Sequence, residues 1–125
     1  MGSVSRPRRG RLELGQAGEK AAAELLRRRG YELVGSGFRA RRGEIDLLCR
    51  RGGELVVVEV KTRTSDAFGA PHEAVGARKR RALRQAASEY RLLAGWRGPI
   101  RFAVVGLLVA ADGGFEAELI DDPFD

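Results

Sequence analysis

The chain has one cysteine, Cys49, and one histidine, His72. A single cysteine excludes an internal disulfide and a cysteine-rich zinc site, and a single histidine excludes a multi-histidine zinc motif within one chain. Cys49 lies inside an apolar run, where a thiol behaves as a small hydrophobe and not as a nucleophile. Aromatic residues are sparse, at 6%. No apolar stretch approaches the ~20 residues of a membrane span. The longest, Phe102 to Ala111, has the length of a strand. Arg8-Arg9 is not followed by an apolar region, so no secretory or twin-arginine signal is expected. A cytoplasmic location without membrane association is the default expectation. Lysine is also scarce: only Lys20, Lys61 and Lys79 among 23 basic residues.

The 125 residues are 43% hydrophobic and 32% charged, which suits one soluble domain with a modest core. The net charge of +6 and the isoelectric point near 10.4 favour a polyanionic partner, most simply nucleic acid. An arginine-rich compositional bias would give the same charge. Against that bias, a lysine at position 61 points to a need for a compact ammonium. Residues 1–12, with four arginines, read as a disordered basic tail, 13–121 as the single domain and 122–125 as an acidic tail.

Apolar spacing predicts a helix from Leu14 to Arg29 closed by Gly30, then a short strand from Tyr31 to Val34. Gly35-Ser36-Gly37 reads as a break, and Phe38 to Arg42 as an extended basic segment carrying Arg39, Arg41 and Arg42. A loop is expected from Thr62 to Pro71, with Arg63 in it, and a long helix from Glu73 to Ala94. Ala74, Ala77, Leu83, Ala86, Ala87, Tyr90 and Leu93 would form its buried face. Arg78, Lys79, Arg80, Arg81 and Arg84 on its other surface are candidates for phosphate contact, a solvated face being the ordinary alternative. A strand from Ile100 to Val109, a Gly113-Gly114 turn and an edge strand from Phe115 to Ile120 complete the order. The fold class is therefore α/β, with a mixed five-stranded sheet flanked by helices. The long-helix connection makes the Ile100 strand parallel to an earlier one.

Gly52-Gly53 joins Glu44–Arg50 to Glu54–Lys61, a two-residue hairpin signal. That loop pairs Arg51 with Glu54, and it carries the register on to Asp46 opposite Glu59 and Glu44 opposite Lys61. One face is then wholly apolar: Ile45, Leu47 and Cys49 against Val60, Val58 and Val56. The other face holds two carboxylates with Cβ atoms roughly 5 Å apart, which repel unless a cation lies between them. Lys61 stands two residues along the same face. A surface hairpin with a solvated charge cluster is the alternative reading.

Oxygen donors without clustered thiols or histidines select Mg²⁺ or Mn²⁺. Asp46, Glu59 and the Val60 carbonyl are the candidate ligands, and Asp46, Glu59 and Lys61 the candidate catalytic set. A bound divalent ion would neutralise a scissile phosphate and activate water, and Lys61 would hold that water or stabilise developing charge.

Gly43-Glu44-Ile45-Asp46-Leu47-Leu48 followed by Val57-Val58-Glu59-Val60-Lys61-Thr62-Arg63 resembles the YraN-like family, small proteins classed with endonucleases of the PD-(D/E)XK, or restriction-endonuclease-like, superfamily. The resemblance spans most of residues 14–110 and includes Gly18-Glu19, Gly30-Tyr31, Gly69, Pro71, Glu73-Ala74-Val75, Lys79 and Arg101-Phe102. It implies an αβββαβ core, places Asp46, Glu59 and Lys61 at the metal-binding and catalytic positions, and adds Glu19 as a first-helix metal carboxylate. It implies DNA as substrate, branched or single-stranded, with RNA left open, and a homodimer where two strands must be cut. Trp96, exposed loops and the last edge strand are candidate dimer surfaces. Two positions depart from the family pattern: Gly37, where asparagine is usual, and Ala103, where aspartate is usual. A non-catalytic nucleic-acid-binding module on the same scaffold is the competing expectation.

Overall fold

The computed structural model describes residues 11–64 and 75–124. Seven elements follow in chain order: α1 (Arg11–Arg28), β1 (Glu32–Arg39), β2 (Glu44–Arg51), β3 (Glu54–Arg63), α2 (Ala77–Ala94), β4 (Ile100–Val109) and β5 (Phe115–Asp121). The strands form one mixed sheet in the order β1-β2-β3-β4-β5. Only β3 and β4 are parallel neighbours; the other pairs are antiparallel. The expected αβββαβ order with a final edge strand is what the chain builds.

Helix α1 owes its stability to an alanine- and leucine-lined stripe: Ala22, Ala23, Leu25 and Leu26 are buried. It ends where Gly30 adopts φ +88°, with Gly30 N–H donating to the Arg27 carbonyl and Tyr31 N–H to that of Leu26. This reciprocal closure satisfies the last carbonyls of the helix. One sheet face packs on α1 through Leu47, Cys49, Val56, Val58, Ala103, Val105 and Leu107. The other packs on Leu83, Ala86 and Ala87 of α2 through Ile45, Leu48, Leu55, Val57 and Val104. With both faces covered, β3 and β4 are near-continuous apolar runs, as parallel neighbours between two helix layers require.

Several boundaries differ from the sequence reading. The helix predicted from Leu14 already begins at Arg11, inside the expected basic tail; residues 1–10 lie outside the described ones. Gly35-Ser36-Gly37 is not a break. Strand β1 runs through it, absorbing the glycines in a register shift between Leu33 and Gly35. Gly37 has φ +65°, in the left-handed region that glycine adopts without steric cost. Thr62 and Arg63 belong to β3, because both pair with β4, and not to a loop.

Helix α2 starts at Ala77; Val75 and Gly76 precede it, while Glu73 and Ala74 lie outside the described residues, as does His72. Leu93, expected in the core, is 74% exposed, as is its neighbour Leu92 at 81%. The expected acidic tail is also structured. The Asp122 N–H donates to the Phe102 carbonyl, and the Phe124 ring packs against that of Phe102. Asp125 lies outside the described residues. No described helix is long and apolar enough to cross a membrane.

Candidate active site

The β2–β3 hairpin turns on Gly52, whose φ is +60°, and its ladder runs from Arg51↔Glu54 to Leu47↔Val58 in the predicted register. Beyond that the strands part. The Val60 N–H, which a continuing ladder would direct to Ile45, instead donates to Asp46 Oδ2 at 2.8 Å. Side-chain alternation fails at the same place. Ile45 is buried on the α2 side with Leu48 and Val57, whereas Leu47 is buried on the α1 side. The predicted single apolar face containing Ile45, Leu47 and Cys49 is thereby corrected: the parity argument assumed a regular pleat, and the pleat is interrupted at Asp46.

Glu59 is the one charged residue that is fully buried among the described residues, with 4% exposure. Its Oε2 lies 3.5 Å from Lys79 Nζ, and its Oε1 is buried without a hydrogen-bond partner. Burial, then the charge of the neighbouring Asp46, pushes its carboxyl up to about 7, with Lys79 and, more weakly, Lys61 opposing the rise. Such a pair of carboxyls, close and poorly solvated, cannot both ionise without a compensating cation.

Asp46, Val60, Lys61 and Thr62 line an open cleft of about 270 Å³ together with Leu14, Gly15 and Glu19 of α1. The helix reaches this position because it crosses β3 at Gly18, where a Cβ would fall 2.4 Å from Thr62 Oγ1. That approach delivers Glu19 to the cleft, where burial, then the charges of Asp46 and Glu44, raise its pKa. The structure thus gathers Asp46, Lys61, Val60 and Glu19 around one opening, with Glu59 buried beside it. Among the described residues no group of three or more His, Cys, Asp or Glu side chains is close enough to hold a metal ion. The donor set offered to a cation is the Asp46–Glu59 pair. Its hard oxygen chemistry and the orphaned Glu59 Oε1 fit a divalent ion that keeps several waters.

The basic residues divide. Arg78 and Arg81 are exposed on α2, and Arg80 lies over the Phe124 ring at 5.7 Å. Arg39 is exposed beside Glu44 at 3.8 Å. Arg41 and Arg42 are exposed between β1 and β2, and the Arg41 N–H donates to the Glu89 carboxylate. Arg63 lines a second opening of about 260 Å³ with Glu116 and Glu118. Lys79 keeps a half-exposed side chain on α2, and its ammonium also lies 3.5 Å from Glu59 Oε2, a contact that the sequence reading did not foresee. The scarcity of lysine that singled out Lys61 applied equally to Lys79 and was the available signal. Ala103, the second departure from the family pattern, is buried in the α1-side core opposite Val58. It lies three residues, roughly 10 Å, along β4 from the partner of Lys61.

A family model described as "Uncharacterised protein family UPF0102" matches residues 18–107. A UPF0102 protein of Symbiobacterium thermophilum is 46% identical over 112 residues, covering 89% of this chain and 95% of the relative. One from Porphyromonas gingivalis is 41% identical over 99 residues, covering 79% and 73%. Another, from Anaeromyxobacter dehalogenans, is 46% identical over 99 residues, covering 78% and 74%. The matched span contains Glu19, Asp46, Glu59, Lys61 and Lys79.

Proposed function

This chain belongs to the UPF0102 (YraN-like) family of the restriction-endonuclease-like superfamily, and we propose that it is a metal-dependent nuclease hydrolysing phosphodiester bonds in DNA. The observation that carries this reading is the interrupted end of the β2–β3 ladder. There Asp46 is turned onto the Val60 N–H, beside a buried Glu59 with an unpartnered oxygen, and Asp46 shares its cleft with Lys61. A structural hairpin gains nothing by burying a second carboxylate next to the first.

Asp46 and Glu59, with the Val60 carbonyl, are the residues that would hold Mg²⁺ or Mn²⁺. When bound, the ion supplies charge neutralisation on a phosphate and lowers the pKa of water. Lys61 offers an ammonium to a phosphoryl oxygen at the same opening, stabilising negative charge that grows in the transition state. Glu19, on the α1 wall of the same cleft, would add a further carboxylate toward the ion. Arg78 and Arg81 on α2, and Arg39, Arg41 and Arg42 at the β1–β2 end, would hold the backbone electrostatically without reading sequence.

The test is cleavage of duplex, single-stranded and four-way DNA, with RNA alongside, in the presence of Mg²⁺ or Mn²⁺. Metal-dependent cutting that disappears in Asp46→Ala and Lys61→Ala is expected. Absence of cutting by clean protein, or equal cutting by both variants, would sink the reading. A non-catalytic nucleic-acid-binding module is favoured by one observation: Lys79 already neutralises Glu59. Salt-sensitive binding that ignores added metal would decide for it.

A further inference from the structure

The two oxygens of Glu59 have different surroundings. Oε2 faces Lys79 Nζ at 3.5 Å, while Oε1 has no hydrogen-bond partner. A buried anion beside a second carboxylate demands a cation. Lys79 comes from α2, the layer opposite the helix that supplies Glu19. The Lys79 side chain is 43% exposed, so its ammonium has water available and is not forced inward by its own burial. Its neighbours along the helix, Arg78, Arg80 and Arg81, are all arginine. At this one position the chain carries a compact ammonium, which can leave a carboxylate without breaking a bidentate fork.

We propose that the Lys79 ammonium is the resident counter-cation of the Asp46–Glu59 pair, holding Glu59 through Oε2 in the metal-free protein and competing with an incoming divalent ion. This rests on the metal-site reading above. The competition follows from charge: a unit charge about 6 Å from a divalent ion weakens its binding roughly tenfold even at the dielectric constant of water. Lys79 is therefore a positioning residue that keeps the metal-free pair tolerable and sets how readily metal enters.

Wild type, Lys79→Gln and Lys79→Arg are compared by thermal melting with and without saturating MgCl₂, and by calorimetric Mg²⁺ titration, without nucleic acid and at about pH 8.5, where carboxylates are ordinarily ionised. Metal-free Lys79→Gln should melt below wild type and gain more from Mg²⁺, with about tenfold tighter Mg²⁺ binding. Lys79→Arg, which keeps the charge but can hold the carboxylate through a fork, should bind Mg²⁺ no more tightly than wild type. An equal Mg²⁺-induced rise in Lys79→Gln and wild type, or weaker binding by Lys79→Gln, overturns the proposal. A wild type with no Mg²⁺ response overturns the metal reading and the proposal with it. The two failures differ because only the second abolishes the wild-type response.

Discussion

Asp46 Oδ2 accepts the Val60 N–H at 2.8 Å, so one oxygen of the cleft carboxylate substitutes for a missing ladder partner. Asp46→Asn can keep that acceptor while losing the charge, whereas Asp46→Ala leaves a part-buried N–H unpaired at a cost of about 1–3 kcal/mol. Denaturant unfolding should therefore separate the two variants, with Asn near wild type and Ala less stable. Both should lose at least about 100-fold in cleavage rate, because neither supplies the anion. An Asp46→Asn variant retaining wild-type cleavage would count against the role assigned to it.

Glu59 gives the metal-free protein a pH dependence of defined sign. Its folded-state pKa, about 7, lies above the ordinary value of 4.5, so the folded state holds its proton more tightly than the unfolded chain. The associated stability is fully present below about pH 4.5 and is lost as pH rises through about 7. Its size is on the order of 1–3 kcal/mol. Melting temperatures measured across this range without metal should show the loss, and Glu59→Gln should remove it. The same profile in Glu59→Gln as in wild type would assign the dependence elsewhere.

Gly43 lies where a Cβ would stand 2.6 Å from the Ala82 carbonyl oxygen, a backbone atom of α2 that cannot swing away. Gly43→Ala should cost about 1–3 kcal/mol, as overpacking does. Gly15, within α1, is the opposite case: a Cβ added there would meet nothing within 4 Å. Gly15→Ala should stabilise by roughly 0.5–1 kcal/mol through helix propensity. Chemical denaturation of both variants checks the contrast.

Arg78 and Arg81 are exposed on the same helix that carries Lys79. If they contact phosphate, replacing either with glutamine should lower the slope of log affinity against log salt by about 1 and weaken all sequences alike. Binding titrations at several salt concentrations measure this. An unchanged slope would remove that helix from the nucleic-acid interface.

Much of the fold was legible because hairpin parity and helical spacing are local. The Gly52-Gly53 turn, the register to Leu47↔Val58 and the α1–β–β–β–α2–β order all follow from neighbouring residues. The irregularities were not legible. Asp46 breaks the pleat by capturing the Val60 N–H, an outcome that depends on how two strands separate in space. Lys79 meets a buried anion on a separate strand, a contact that cannot be seen in the helix's own periodicity. Leu93 matched the apolar spacing of α2 yet is exposed, since spacing alone does not show how far along a helix the buried stripe extends.

The order of strands across the sheet repeats their order along the chain, with one long interruption between β3 and β4. The β1–β2–β3 meander and the β4–β5 hairpin can each assemble through short loops, on timescales of about 1–10 μs for a hairpin. Joining them requires closure across residues 64–99, which is the slow, non-local event in this topology. Glu59 sits on β3 and pairs with Val104 along that junction, while Lys79 arrives on the segment that closes it. Assembly therefore completes the carboxylate pair's charge balance at its late, cooperative step, and a partly folded chain would carry the two acidic groups without their lysine.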